Sequence, residues 1–552
     1  MLTMNPRNRR RTIAVVASAF AAIMLTVTAI AGCSDGETQR EGDTLSSPLR
    51  PAPELKGASA WLNTTRPLTL DDLRGQVVLL DFWTYCCINC LHVLPDLKYL
   101  EHKYRDEPFV VVGIHSGKFD EEKDAGNIRQ AILRHNIDHP VAVDNDYEIW
   151  NAFGVQAWPT IILIDPQGRI AGAVTGEGHR DALDRTIRRL LEQHRKMGTL
   201  AEPMRFRAER TSFESAFLEF PGKLLADAAG QRLFISDTNH HRIVVADLDG
   251  LVQLVIGDGS AGFTDGEFKT AQFHQPQGLA LSPDRQTLFV ADTENHAVRT
   301  VDLVNGVVST LSGTGKPNYD RNPKGPARST GLNSPWDLSL VEGRLYLAMA
   351  GAHELWVIDL QSAQLSLFAG TGREAGFDGP NRRATFAQPS GLTSDGKHLY
   401  VADSEISSIR TVELGPTGRT TTLAGSGGLF KFGDIDGVGK SARFQHPLGV
   451  AIDGTDLYVA DTFNHRIRRV DVRTGQVTTW LGPDLTNLKS GSQITLDEPG
   501  GLSIAGGTLY IADTNNHRIV AVDLISKVGR VVNVRLAPRH ETNLKKPAGD
   551  EP

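Results

Sequence analysis

The stretch Asp81-Phe82-Trp83-Thr84-Tyr85-Cys86-Cys87-Ile88-Asn89-Cys90 decides the reading of the amino-terminal part of the chain. It closes a short apolar run, residues 78–83, of the kind that forms a buried strand. Two cysteines three residues apart, where a strand passes into a helix, suit redox chemistry. The first sulfur sits at the helix amino end, where free N–H groups and the helix dipole favour the thiolate. The second lies one turn on, close enough to form a small ring once the first has attacked a disulfide. Residues 109–114 and 160–164 also read as buried strands. Ile128, Ile132 and Leu133, and later Leu183, Ile187, Leu190 and Leu191, recur at helical spacing. Strands alternating with helices predict an α/β domain with parallel strand pairs, drawn over residues 53–197.

The whole chain is too long for one core: 552 residues call for at least two domains. Its 40% hydrophobic and 22% charged residues are ordinary globular material and exclude a mostly disordered or polytopic membrane chain. A net charge of −7 argues against nucleic acid as a partner, and no nucleic acid is expected. The only cysteines are Cys33, Cys86, Cys87 and Cys90, too few for a disulfide-built scaffold. A zinc site needs about four ligands, and no second cysteine or histidine pair accompanies the first. No metal and no cofactor is expected.

Residues 1–32 join Arg7, Arg9, Arg10 and Arg11 to an apolar run ending Ile30-Ala31-Gly32-Cys33. Basic flank, apolar stretch and small residues are the pattern of an export signal. The ending resembles the lipobox of bacterial lipoproteins, which implies cleavage before Cys33, lipidation of that residue and a place on a membrane of the cell envelope. The alternative is an uncleaved anchor helix. Residues 33–52 are polar and read as a flexible tether.

Beyond a linker drawn at residues 198–214, the chain repeats. Six phrases begin at Leu233, Leu288, Leu345, Leu399, Leu457 and Leu509, spaced 52 to 58 residues apart. The fullest read Asp-Thr-x-Asn-His-Arg-Ile, as from Asp461 to Ile467 and from Asp513 to Ile519. Each unit holds about four short strands between glycine turns, and six such units suit radial closure, which protects sheet edges. Gly257-x-Gly259-x-x-Gly262 matches a dinucleotide fingerprint but opens no helix and recurs between units, so it is turn. The repeated His and Arg are expected to hold turns. The repeat breaks in unit three, at Met349-Ala-Gly-Ala-His353-Glu354, and in unit four, at Asp403-Ser-Glu405-Ile-Ser-Ser408, on adjacent blades whose shared face is a candidate for specialisation.

The cysteine stretch resembles the thioredoxin superfamily. Leu70-x-x-Leu73-x-Gly75 before the strand resembles its extracytoplasmic TlpA/ResA-like branch. Pro95 stands five residues after Cys90, and Trp158-Pro159-Thr160 precedes an apolar strand. The resemblance implies Cys87 as nucleophile, Cys90 as resolving thiol in a redox-active disulfide with it, and Asp81 as acid/base. It also implies a substrate groove formed by Trp83, Tyr85, Trp158 and a cis Pro159. Cys86 remains open between spare thiol, neighbour-disulfide partner and packing. The repeats resemble the NHL repeat, giving a six-bladed β-propeller over 215–536 and a polar tail at 537–552. Domain order and the Cys-Cys-Ile-Asn-Cys phrase together resemble the NHL repeat-containing protein 2 family. The expected function is a membrane-anchored, extracytoplasmic thiol-disulfide oxidoreductase acting on protein thiols or disulfides, with a protein partner on the propeller face. The alternative is a redox-inert envelope binding module whose propeller carries the function.

Overall fold

A computed structural model describes residues 50–209, 216–482 and 493–537, with the backbone of Asp484–Leu485. The export signal and Cys33 lie outside the described residues.

The first domain is a six-stranded sheet flanked by helices. Its strands are β1 (Ala60–Leu62), β2 (Val77–Trp83), β3 (Phe109–His115), β4 (Val141–Val143), β5 (Thr160–Ile164) and β6 (Ile170–Thr175), in the order β1-β4-β3-β2-β5-β6. β2 and β3 are central, parallel and buried along their whole length, which is why both read as nearly unbroken apolar runs. The helices are α1 (Ile88–Lys103), α2 (Ala125–Arg134), α3 (Glu148–Phe153) and α4 (Arg180–Met197). α1 follows β2 after four residues and carries Pro95 inside it. The Trp158–Pro159 peptide bond is cis.

Both segments drawn as loose connections are in part docked. Arg50 and Ala52 join the sheet edge through Ile170 N–H to Arg50 C=O (3.0 Å) and Ala52 N–H to Gly168 C=O (2.9 Å). After α4 the chain crosses the domain: Ala201 N–H donates to Gly75 C=O, and Met204 and Phe206 pack on its core. A Cβ on Gly75, whose φ is +82°, would stand 2.5 Å from Ala201 Cβ, so glycine is required at this crossing.

The second domain is a closed ring of six antiparallel sheets. Its innermost strands are Pro221–Asp227, Pro276–Leu281, Pro335–Val341, Pro389–Ser394, Gly449–Asp453 and Pro499–Ala505; the last packs against the first. The repeated phrase is the clasp between blades. Its Thr hydroxyl donates to the carbonyl of the next blade's leading proline, as in Thr238 to Pro276 (3.0 Å), Thr462 to Pro499 (2.8 Å) and, closing the ring, Thr514 to Pro221 (2.9 Å). Its His adopts a left-handed backbone and accepts, through Nδ1, the N–H of the next blade's residue before that proline. These bonds run from Gln275 to His241 (3.2 Å), Ser334 to His296 (3.0 Å), Gln388 to His353 (3.0 Å), Glu498 to His465 (3.0 Å) and Phe220 to His517 (3.1 Å). Blade four has Ser407 instead, whose hydroxyl takes the N–H of His446. In five of the six blades the Asp pairs with an Arg, as in Asp461 with Arg468 at 2.8 Å, both fully buried; blade three carries Met349 in place of the Asp. The repeated His and Arg are therefore architecture, as their recurrence implies.

Candidate active site

The residue before each leading proline (Phe220, Gln275, Ser334, Gln388, His446, Glu498) is held at positive φ. Five of these six touch the first domain. Phe220 lies under the Arg134 guanidinium, Ser334 Oγ meets His92 Nε2 (2.6 Å), and His446 packs on Phe119. Glu498 accepts from Tyr85 (3.3 Å) and pairs with Arg134, while Gln388 bonds the cysteine loop itself. The propeller face expected to receive a partner is thus occupied by the chain's own α/β domain. The two cores merge there, with Ala350 and Phe463 packed among Cys86, Ile88 and Leu91.

Cys87 is the N-cap of α1, with extended backbone (φ −84°, ψ 114°). It is partly exposed and acts on the Cys90 thiol one helical turn on; Cys86, Cys87 and Cys90 are all free. Cys90 is fully buried. Burial, then the neighbouring Cys87, push its thiol well above the ordinary value. Asp81, on β2, acts electrostatically on Cys90 and is itself fully buried, with no hydrogen-bond partner for either oxygen among the described residues. Burial lifts its pKa to about 7, against a smaller lowering by His139. His139 Nδ1 lies 3.2 Å from Glu101, whose side chain reaches solvent, so the vicinity of Asp81 has a polar link outward.

The cysteine loop is pinned by Glu122, a buried carboxylate absent from the sequence reading. It accepts from Thr84 Oγ1 (2.6 Å), Cys86 N–H (2.9 Å), Lys118 N–H (2.9 Å) and Phe119 N–H (3.0 Å). Cys86 is buried at the domain boundary, where it packs in the shared core, and its thiol is pushed up by that burial and by Glu122.

Cys87 opens into a cleft of about 200 Å³ between the domains. Trp158, Gln156 and Lys118 contribute from one side; His353, Glu374, Glu405 and Phe430 contribute from the propeller. His353 and Glu405, from the two segments where the repeated phrase departs from its pattern, therefore line the cleft of the Cys87 sulfur. Lys118 pairs with Glu405 and lies 3.8 Å from Glu374; burial alone would lower its pKa, but these carboxylates raise it. Trp158 forms a wall of the cleft, its ring packed on Trp150 at 4.5 Å with a 42° tilt and its Nε1 donating to Ser116 C=O. Trp83 and Tyr85 do not line this cleft. Trp83 is fully buried, as its place in a strand covered on both faces requires. Tyr85 is turned toward the propeller and packs between His115 and Phe463.

Comparison with known proteins agrees with this architecture. A thioredoxin-like family model matches residues 75–170, and the NHL repeat model matches 273–300 and 496–521. The chain is 41% identical over 522 residues to bovine (Bos taurus) NHL repeat-containing protein 2, covering 87% of this chain and 71% of that one. The chain belongs to the NHL repeat-containing protein 2 family. It is also 45% identical over 492 residues to Protein SUPPRESSOR OF QUENCHING 1, chloroplastic, from Arabidopsis thaliana; that match takes in 86% of this chain and about half (46%) of the plant protein. The α/β domain alone is 29% identical over 145 residues to thiol-disulfide oxidoreductase YkuV of Bacillus subtilis (26% of this chain, 96% of that protein). This member of the NHL repeat-containing protein 2 family therefore joins a domain with thiol-disulfide oxidoreductase homologues to an NHL propeller.

Proposed function

We propose that the protein is a membrane-anchored, extracytoplasmic thiol-disulfide oxidoreductase of protein substrates. The observation that carries the redox reading is the Cys87 sulfur: it stands at the N-cap of a 16-residue helix, faces a cleft and lies one turn before a buried Cys90 acted on by the unpartnered Asp81. In the reductive direction the Cys87 thiolate attacks one sulfur of a substrate disulfide and the other leaves as thiolate, taking a proton from solvent. Cys90 then passes its proton to the Asp81 carboxylate and attacks Cys87. The substrate's second thiol is released and the enzyme holds the Cys87–Cys90 disulfide, two electrons poorer. Run backwards, the same steps oxidise a dithiol. Because the propeller stands over the cleft, substrates present their sulfur on an extended segment rather than a flat folded face.

Equilibration of the chain in glutathione buffers, followed by alkylation and mass measurement, tests this reading. Cys87 and Cys90 are expected to titrate together as a two-electron couple between about −120 and −300 mV, the span of known dithiol pairs. Cys86 is expected to react only after unfolding. A pair that stays in one state across the series overturns the reading and favours the redox-inert binding module.

The anchor rests on the residues ending at Cys33, where two or more acyl chains would give stable attachment. Expressed in a bacterium, the full chain is expected to incorporate a labelled fatty acid and the Cys33→Ala chain to take up none. Equal incorporation by the two rules out lipidation at Cys33.

A further inference from the structure

Gln388 stands just before the leading proline of the fourth blade, some 300 residues from the cysteines in sequence. Its side chain is buried and bonds the peptide groups on both sides of Cys87: Oε1 accepts the Ile88 N–H at 2.9 Å, and Nε2 donates to the Cys86 carbonyl at 2.8 Å. Its own N–H donates to Nδ1 of His353, which shares the Cys87 cleft. Ile88 is the first residue of α1, and its N–H is one of the donors that a helix leaves unpaired. A side chain at the N-cap reaches the donors two and three residues on, not the first. The amide of Gln388 thus takes up the donor that the Cys87 sulfur cannot use, and it fixes the carbonyl before it. No other residue of the propeller is shown bonding the backbone on both sides of Cys87. The backbone of the N-cap is thereby set from the other domain, with the sulfur left facing the cleft.

We propose that Gln388 is a positioning residue for the Cys87 sulfur, so that the propeller forms part of the redox site rather than only a platform beside it. This rests on the reading of Cys87 as the attacking thiol. Gln388→Met keeps the volume and removes both bonds. The reduced full-length chain carrying it is expected to unfold cooperatively, while the pH midpoint for alkylation of Cys87 rises by about one unit, equivalent to an about tenfold loss of thiolate at a pH below both midpoints. Ser334→Ala removes a bond between the same two domains without touching the Cys87 peptide, and is expected to leave that midpoint unchanged. An unshifted midpoint in Gln388→Met overturns the proposal. So does an equal shift in both variants, which would make domain docking in general the cause. Should Gln388→Met fail to fold, Gln388→Glu serves, since its carboxyl oxygen still accepts from Ile88 while the donor to Cys86 is weakened or lost; a midpoint below that of the wild type overturns the proposal. The profile is read on reduced protein and needs no turnover, so a chain that fails to cycle in glutathione buffers overturns the proposed function without deciding this one.

Discussion

Replacing Asp81 by Asn is expected to stabilise the protein at alkaline pH while slowing its chemistry. Burial lifts the Asp81 pKa from 3.8 to about 7. Between those values the folded chain holds a proton that the unfolded chain has released, so stability falls as pH rises from about 4 to about 7 and levels off above. A shift of about three units corresponds to roughly 4 kcal/mol. Asparagine has nearly the same shape and no proton to lose. The difference in unfolding free energy between Asp81→Asn and wild type is therefore expected to widen by roughly 4 kcal/mol from about pH 4 to about pH 8 in denaturant titrations. A difference that stays flat across that range contradicts the burial of an ionising carboxyl.

The kinetic half of the same substitution follows from the proton that Cys90 must lose. Above about pH 7 the Asp81 carboxylate can take it; below, the carboxyl already holds one. Decay of a preformed mixed disulfide on Cys87 is expected to accelerate as pH rises through 7. In Asp81→Asn that limb should vanish and the rate fall by about 10²- to 10³-fold, the usual scale of lost general-base help. A variant that resolves the mixed disulfide at the wild-type rate removes Asp81 from the mechanism. Gained stability with lost activity is the pattern of a residue kept for function at the expense of the fold.

What could be read in the sequence, and what could not, divides by distance along the chain. Asp81, Cys87, Cys90 and the cis Pro159 lie in or beside strand ends, and short motifs keep their local geometry. The propeller is legible because one phrase recurs at a spacing of 52 to 58 residues, its His clasp kept in five of the six blades. The resemblance puts Trp83 and Tyr85 in the groove; a strand covered on both faces buries the first, and the propeller receives the second. Arg50–Ala52 and the segment after α4 read as loose because their composition is polar, whereas backbone bonds to Gly168, Ile170 and Gly75, which composition does not encode, hold them. The propeller's share of the site was only half visible. The segments that hold His353 and Glu405 depart from the repeated phrase, but nothing local says that they face Cys87. Gln388 occupies a repeat position that differs from blade to blade, and that variation was the available signal: where every blade must close on the next, a position free to change is one that faces something else.

The largest effect belongs to the cysteines. Cys90 lies one turn along α1 from Cys87, so Cys90→Ala should stall after the first attack and hold its substrate covalently, while Cys87→Ser should capture nothing because the buried Cys90 does not reach the cleft. Cys86, packed between the domains, should not substitute for either. Turnover of a small aryl disulfide by the reduced full-length chain measures this directly. The account expects the Cys87→Ser rate to fall to that of the buffer thiol alone, with one equivalent of aryl thiol trapped on Cys90→Ala at Cys87. Undiminished turnover by Cys87→Ser, or a mixed disulfide mapped to Cys86, contradicts it.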